Sequence, residues 1–588
     1  MSATIQARHP KGLYVLFLTE MWERFSFYLM LGLFPQYLKD TQTGGMGWSG
    51  AQAASLVGTY MALVYFTPFL GGLLADRKLG YRKAVFFGGA AFIVGHILLA
   101  FPQEGALYAA LAFLIIGNGL FKPNISTMVG RLYPEGSPLK DAGYTFFYMG
   151  INLGAFTCNF VAAIVRNAYG WHWAFATAGF GMLAGLIIFA LGQKHLRAAD
   201  ITDEERTARG PQPSLTPLWV QCLGPAVALG AVGYVIGDGP NWLNLGPTTT
   251  AFVLACLPVI WFFVGMWRGL TDTVERGKVG ALLAVFGVVV VFWMVFHQNA
   301  TALNEWAQSE TNREPSGLIE PVIGLADDFA ERAPPAYFKN APASTPRPAD
   351  ATFRIVSDAE YAALKEAKQL SVRSGVPTPV TQAIYDQVMA KATPETPRLA
   401  PGVQHRLVNT ELFGSINGGF VLLLAPLMVA LWAFLRRRGT EPSSAGKIAL
   451  GLSISALSIT IMIAAAATAG GEKVSAWWLF GTYGVITIGE LCLSPMGLSM
   501  VSKHAPRRLA GFLMGGWFLA SAIGNKLSGV AGELYYTTDH VTFFIGNAAA
   551  VGGAALIITL MVPWLRRQFG EDRPASVDVP EAQARVRR

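Results

Sequence analysis

Cysteine is scarce in this chain. There are four in 588 residues, Cys158, Cys222, Cys256 and Cys492, each inside an apolar run and none close enough to another to form a metal-ligand cluster. They read as buried thiols rather than disulfides. Charge is scarce too: Asp, Glu, Lys and Arg make up 14% of the residues, against about 25% in an ordinary soluble domain. That shortage excludes a soluble globular enzyme. Also missing are HExxH, GxSxG and a GxxxxGK loop followed by Ser or Thr, so neither a zinc hydrolase, a serine hydrolase nor a nucleotide-phosphate site is expected. No enzymatic activity, no metal and no organic cofactor follow from these absences as expectations.

Apolar residues take the place of charge, at 52% of the chain with a mean hydropathy of +0.39. Stretches long enough to cross a bilayer recur near 12–38, 49–75, 83–101, 106–130, 142–166, 173–194, 217–236, 248–266, 279–303, 411–435, 447–469, 476–500, 510–533 and 541–565. This predicts an all-α polytopic membrane protein with fourteen spans. Lys and Arg gather in alternate connections, for example Arg77, Lys78, Arg82 and Lys83, then Arg131 and Lys140, then Arg436, Arg437 and Arg438. By the positive-inside rule both termini lie in the cytoplasm. The net charge of +8 is mostly this flank bias and calls for no nucleic-acid partner. The first span is too long for a signal-peptide core, so it is expected to remain as a helix.

The spans divide as six, two and six. A six-helix bundle over 12–195 is followed by a linker with two extra apolar spans over 196–278, the first helix of a second bundle over 279–306, an insertion over 307–406, the rest of that bundle over 407–566 and a tail over 567–588. Two bundles entering the membrane in the same orientation are the parallel halves of a major-facilitator fold. The insertion holds twelve of the thirty-three prolines, which argues against a span. Alternation places it in the periplasm, with short helices expected over 358–370 and 381–391 and an extended linker from Ala341. A structural cap is the expected role.

Ionisable residues inside spans carry most of the functional information. Glu20, Glu23 and Arg24 occupy neighbouring stripes of the first helix, roughly 12 to 18 Å from its entry at about 1.5 Å per residue. Each buried charge costs about 2.5–3.5 kcal/mol on insertion scales, so such groups are kept where they pair or line a wet pathway. The fourth span adds Lys122 within GNGLFKPN. The fifth presents Tyr148 and Asn152 four residues apart, a pair that serves helix packing as often as ligand contact. Glu490 lies mid-span within GELCLSPMGLS, with Ser494 one turn on, and needs a partner from another helix or a proton. Trp293 and His297 fall in FWMVFHQ, and Trp517 in MGGWFLASAIGN. Between the second and third spans, GGLLADRKLGYRK combines glycines for close packing with Asp76 and a basic cluster. Gly72, Asp76, Arg77, Gly80, Arg82 and Lys83 read as a charge latch that follows bundle motion.

Taken in order, ExxERF at Glu20, GGxxADR at Gly71, FKPN at Phe121, FYMxINLGAF at Phe147 and GELxLSPxGLS at Gly489 resemble the proton-dependent oligopeptide transporter family of the major facilitator superfamily. The resemblance runs over all twelve core spans and the extra central pair. It implies a bacterial inner-membrane symporter that imports di- and tripeptides by alternating access, with protons as the coupling ion. A monomer is the expected working unit because each pair of bundles encloses its own pathway. By analogy Arg24 and Lys122 meet the peptide carboxylate, while Glu490, Asn152 and Asn417 meet its amino end. Tyr28, Tyr65, Trp293, Ser494 and Trp517 line side-chain pockets. A site with cations on one bundle and an anion on the other suits a short zwitterion and selects against longer peptides.

The chain departs from the family pattern at four places. Leu31 stands where many members have Arg and His297 where they have an acid, so the two halves of one ion pair are lost together. Phe27 replaces a Tyr, and Asn417 is followed by Gly418 rather than Pro. Proton coupling is expected to run through Glu20, Glu23 and Arg24, with His297 as a second titratable site because imidazole titrates near neutral pH. Two readings compete: a carrier of the same fold with another small cargo such as nitrate, a drug or a nucleoside, and a membrane sensor whose insertion binds a ligand. The sensor reading leaves the intramembrane charges without a role.

Overall fold

A computed structural model describes residues 8–40, 44–134, 139–202, 205, 216–237, 246–314, 330–332, 353–366, 378–381, 406–470, 473–506 and 509–570. Fourteen long helices occupy the described residues. The first six are α1 (Lys11–Lys39), α2 (Gly50–Leu74), α3 (Tyr81–Leu98), α4 (Glu104–Arg131), α5 (Lys140–Tyr169) and α6 (Trp171–Leu191). Two more follow, α7 (Gly224–Gly237) and α8 (Pro247–Arg268). The last six are α9 (Thr273–Phe296), α10 (Glu411–Arg437), α11 (Ser444–Ala469), α12 (Trp477–His504), α13 (Ala510–Tyr535) and α14 (His540–Phe569). Eleven helical segments are long and apolar enough to cross a membrane by length and composition, and the insertion-side end of α9 continues within such a segment to Ser309.

Local chemistry sets the ends. Ser49 and Gln52 form a reciprocal capping box ahead of α2, and the Asp272 carboxylate accepts from the amides of Val274 and Glu275 at the start of α9. Gly170 turns the chain from α5 into α6 at φ 87°, a backbone conformation that disfavours any Cβ. Two spans are interrupted where the sequence reading has one continuous run. The seventh opens with a helical turn at Thr216–Leu218 and a π-turn over Trp219–Leu223 before α7. The ninth span is not one continuous helix to residue 303: α9 stops at Phe296, a 3₁₀ turn covers His297–Ala300, and a short helix resumes at Ala302–Ser309. At the junction His297 Nδ1 hydrogen-bonds the Trp293 carbonyl at 3.1 Å, while Thr301 leaves helical geometry and bonds the Ser528 hydroxyl of α13 at 3.1 Å.

The two bundles use the same pairings. In the first, α1 packs on α5 and α6, α3 on α4 and α6, and α2 on α4. In the second, α9 packs on α13 and α14, α11 on α12 and α14, and α10 on α12. Each bundle has its own apolar core. The helices that bridge them, α2 with α13 and α5 with α10, are also equivalents, so the seam repeats the symmetry of the halves. The α7–α8 hairpin has a small core of its own and leans on α2, α9 and α13.

At the α2–α13 seam the backbones meet. A Cβ on Gly58 would lie 2.6 Å from Gly529 Cα, and one on Gly529 would lie 2.8 Å from Gly58 Cα. The neighbour is backbone and cannot step aside. Gly58→Leu is therefore expected to lower the unfolding temperature in detergent, since overpacking costs roughly 1–3 kcal/mol. A thermal melt of the purified variant checks it, and a wild-type midpoint would show that the seam yields.

Three two-stranded sheets lie outside the bundles: β1 (Thr311–Asn312) parallel to β6 (Val474–Ser475), β2 (Ala330–Arg332) antiparallel to β5 (Arg406–Val408), and β3 (Phe353–Val356) parallel to β4 (Thr378–Thr381). The helix expected from residue 358 is present over Asp358–Glu366, and 367–370 lie outside the described residues. Of the expected 381–391 helix, Thr381 ends β4 and the remainder lies outside them, as do the linker at 341–350 and the tail beyond 570.

Candidate functional site

Glu20, Glu23 and Arg24 sit midway along α1 on the face turned into the first bundle, each at most 2% exposed. The Arg24 guanidinium binds the Glu23 carboxylate through two nitrogens, reaches Glu20 Oε1 at 3.4 Å and lies 4.7 Å from the Phe27 ring centre. A planar, forked cation suits this two-carboxylate arrangement better than an ammonium would. The triad carries one negative charge in excess when both glutamates are ionised, and Lys122 on α4 is within charge–charge range of all three members. Lys122 Nζ itself rests 4.4 Å from the centre of the Tyr65 ring on α2, a cation–π contact.

Across the seam, the Asn417 amide on α10 donates to Glu490 Oε2 on α12 at 3.0 Å and to Thr487 Oγ1 at 2.9 Å. Three tyrosines from the first bundle, Tyr28, Tyr65 and Tyr148, lie within electrostatic range of Glu490. Cations of one bundle and an anion of the other therefore share one tyrosine-lined space. Asn152, 7% exposed, ties its Nδ2 to the Tyr148 carbonyl one turn back. Trp293 and His297 join from the second bundle: Trp293 stacks on His297 with ring centres 5.2 Å apart, and Tyr65 packs edge-on to His297 at 5.4 Å and tilted to Trp293 at 6.4 Å. Buried polar atoms without a protein hydrogen-bond partner include Glu20 Oε2, Trp293 Nε1 and Ser494 Oγ. A binding site keeps such atoms for a ligand or solvent.

Not every expected pocket residue stands in that space. Trp517 is 3% exposed, its ring covers Gly497 of α12 so closely that a Cβ there would clash, and it packs edge-on to Phe286 of α9. Its described contacts lie within the second bundle's core. The basic loop lies at the termini end. Ala75–Leu79 forms a π-turn after α2, Asp76 accepts from the Tyr81 hydroxyl at 2.5 Å, and Gly80 turns at φ 81° into α3. Arg82 bonds the Gln193 side chain, and Lys83 and Arg77 flank the turn. A Cβ on Gly72 would make only ordinary contact with Pro123, whereas one on its neighbour Gly71 would run into the Gly119 carbonyl of α4. Asp200, which sequence reasoning does not single out, accepts from the Tyr81 amide at 2.8 Å, and its carbonyl accepts from Arg131.

Other polar groups inside the spans are not among the site residues expected from the motifs. Ser26 and His96 bond at 2.5 Å in the first core, Gln298 and Asn547 pair in the second, and Lys526 on α13 is 1% exposed. The last has a sequence signal: a lone lysine one residue past the MGGWFLASAIGN run.

Two six-helix halves built on the same pairings, with an ion triad in one facing a carboxylate–amide pair in the other, define a secondary transporter of the major-facilitator fold. More narrowly, the chain belongs to the POT family, whose model matches residues 82–322 and 373–549. It is 29% identical over 94% of both chains to a peptide transporter, YePEPT, of Yersinia enterocolitica, and 28% identical to a di-/tripeptide transporter of Lactococcus lactis, covering 93% of this chain and 95% of that one. Among solved structures it resembles a POT peptide transporter in complex with sulfate, with TM-score 0.69 and 28% identity over 95% of this chain and 96% of the other. A POT family transporter in complex with a thioalcohol-conjugated peptide gives TM-score 0.70 at 26% identity, over 95% and 97%.

Proposed function

We propose that this protein is a proton-coupled symporter that imports di- and tripeptides by alternating access, with both termini in the cytoplasm, the insertion in the periplasm of a bacterial inner membrane, and a monomer as the transport unit. The observation that carries the reading is the split of charge across the seam: Arg24 and Lys122 on one bundle and Glu490 with Asn417 on the other. A short zwitterion bridges the two. Its carboxylate goes to Lys122 and Arg24 and its ammonium to Glu490, Asn417 and Asn152, while Tyr28, Tyr65, Tyr148, Trp293 and Ser494 surround its side chains. Electrostatic attraction in a partly desolvated site fixes which end goes where.

Coupling follows from the triad. With both carboxylates ionised, Arg24 is held by Glu23 and Glu20. A proton on either weakens that hold and frees the guanidinium for the peptide carboxylate. When the peptide leaves on the cytoplasmic side, the ion pair reforms and the proton departs. The names of the relatives support the cargo, and the forked Arg24 contacts support the proton step.

Uptake of labelled dialanine by proteoliposomes under an imposed inward proton gradient tests the whole reading. Concentrative uptake abolished by a protonophore is expected. Peptide binding without flux would favour the sensor, and absence of both would favour another cargo.

His297 is the open member of the coupling set. Its described hydrogen bond runs to the backbone carbonyl of Trp293, and its ring is stacked on Trp293 and met edge-on by Tyr65, which is a packing role. His297→Gln is expected to keep the pH profile of uptake with a rate within about threefold, the scale of a lost neutral hydrogen bond. A flattened profile would place the imidazole in the relay.

A further inference from the structure

Lys526 is a buried lysine in the interior of α13, and neither the triad nor the Glu490 pair uses it. Its Nζ donates to Thr59 Oγ1 of α2 at 2.9 Å and to Thr248 Oγ1 of α8 at 3.3 Å. Both hydroxyls are already tied, Thr59 to the Ser55 carbonyl at 2.8 Å and Thr248 to the Ser55 hydroxyl at 3.0 Å. These groups satisfy hydrogen bonds but carry no compensating charge. Glu533, two turns along the same helix, is within electrostatic range, yet its Oε1 has no hydrogen-bond partner. An intramembrane ammonium without a bonded carboxylate is costly, and a neutral side chain would tie α8 to the seam equally well. The charge calls for a use of its own.

Its position supplies one. Lys526 lies one turn from Gly529, and its partner Thr59 follows Gly58, the two glycines at which α2 and α13 touch. Opening that seam to the insertion side has to part Lys526 from Thr59, and it uncovers the ammonium. Along α2, Tyr65 is six residues further towards the termini end, about 9 Å at helical rise, and it carries Lys122 on its face. The cations thus form steps from the seam to the central site.

We propose that Lys526 is an entry site for the anionic end of the substrate: stored among hydroxyls when the seam is closed, it meets the peptide carboxylate when the seam opens and passes it to Lys122 and Arg24. The inference rests on the peptide-symport reading. In whole cells, which present only the insertion side, Lys526→Gln is expected to raise the KM for dialanine uptake about fivefold with Vmax within about twofold, a loss of one charge-assisted contact. Lys526→Arg should restore the KM. An unchanged KM, or a fall in Vmax alone, overturns the proposal in favour of a structural tie. A second measurement is independent of cargo and of the variant's transport. Lys526→Cys in a background lacking the four native cysteines should react with a membrane-impermeant anionic thiol reagent from the insertion side, and no reaction there also overturns it. If the wild type takes up no peptide, the symport reading fails, and the carboxylate assignment fails with it even where labelling is positive.

Discussion

Arg24→Ala is expected to abolish concentrative peptide uptake, lowering the initial rate by about 100-fold or more at unchanged membrane abundance. The guanidinium is the one bonded counter-charge of Glu23 in the described contacts and also reaches Glu20. Both carboxylates are essentially inaccessible. Removing one partner from a buried ion pair costs about 3–5 kcal/mol because the other is left uncompensated, and about 1.4 kcal/mol is a tenfold change in rate. Two carboxylates stranded together protonate or turn away, and either outcome removes the device that makes peptide binding depend on a proton. Arg24→Lys keeps the charge but not the fork, and is expected to recover only a small part of the rate. Glu23→Gln separates binding from coupling. Peptide exchange across a membrane with substrate on both sides needs no net proton movement, so Glu23→Gln is expected to keep counterflow while losing gradient-driven accumulation. Retention of accumulation by either Arg24→Ala or Glu23→Gln would remove the triad from the coupling mechanism.

Most of this architecture was legible because a span is a long, one-dimensional signal. Eighteen or more apolar residues have few alternatives to a helix, and the helices begin and end close to the limits read from hydropathy, even for α1 with its three charges. The Glu20–Glu23–Arg24 triad was legible for the same reason, since its members are neighbours on one helix face. The Asn417–Glu490 bond and the Tyr65–Lys122 contact join different helices, and only the motif resemblance placed them together. Side-chain direction was the weak point. A tryptophan in a glycine-rich helix looks the same whether it lines a cavity or, as Trp517 does, fills the gap over Gly497. The break at Thr301 falls in the polar run HQNAT at 297–301, which a hydropathy window averages away against the long apolar run before it. The insertion's contribution was invisible for a related reason: its partners are far apart in the chain and are polar, in a segment whose prolines say only that it is not a span.

That contribution leads to the second large effect. Arg166, near the end of α5, bonds Glu411 at the start of α10 at 3.2 Å, Glu331 of β2 and the Gln36 side chain of α1 at 2.9 Å. It also covers Trp171 at 4.9 Å. Glu331 is shared with Arg313, which additionally donates to the Val408 carbonyl of β5 at 2.8 Å, and next to it Asn167 and Asn409 exchange amide hydrogen bonds. Two arginines and two glutamates balance, and together they clasp both bundles and the insertion at the end of the seam opposite the termini. Burial alone would push the Glu331 carboxyl up, but the facing Arg166 and Arg313 outweigh it and hold the group below its ordinary range. Its contribution is therefore present above the ordinary carboxylate range and lost only as the pH falls through the lowered value, so Glu331 stays charged across the neutral range. Arg166→Met leaves Glu411 buried without its cation while Glu331 keeps Arg313. It is expected to destabilise the closed seam by about 3–5 kcal/mol, seen as a lower unfolding temperature in detergent and faster thiol labelling of a cysteine introduced at Thr59 in the cysteine-free background. Adding Glu411→Met removes the stranded charge, and because an apolar replacement of a whole buried pair is often neutral, the double variant should regain most of the stability. Simple additivity of the two losses would mean that Arg166 and Glu411 act separately, and the clasp would then reduce to a set of independent contacts.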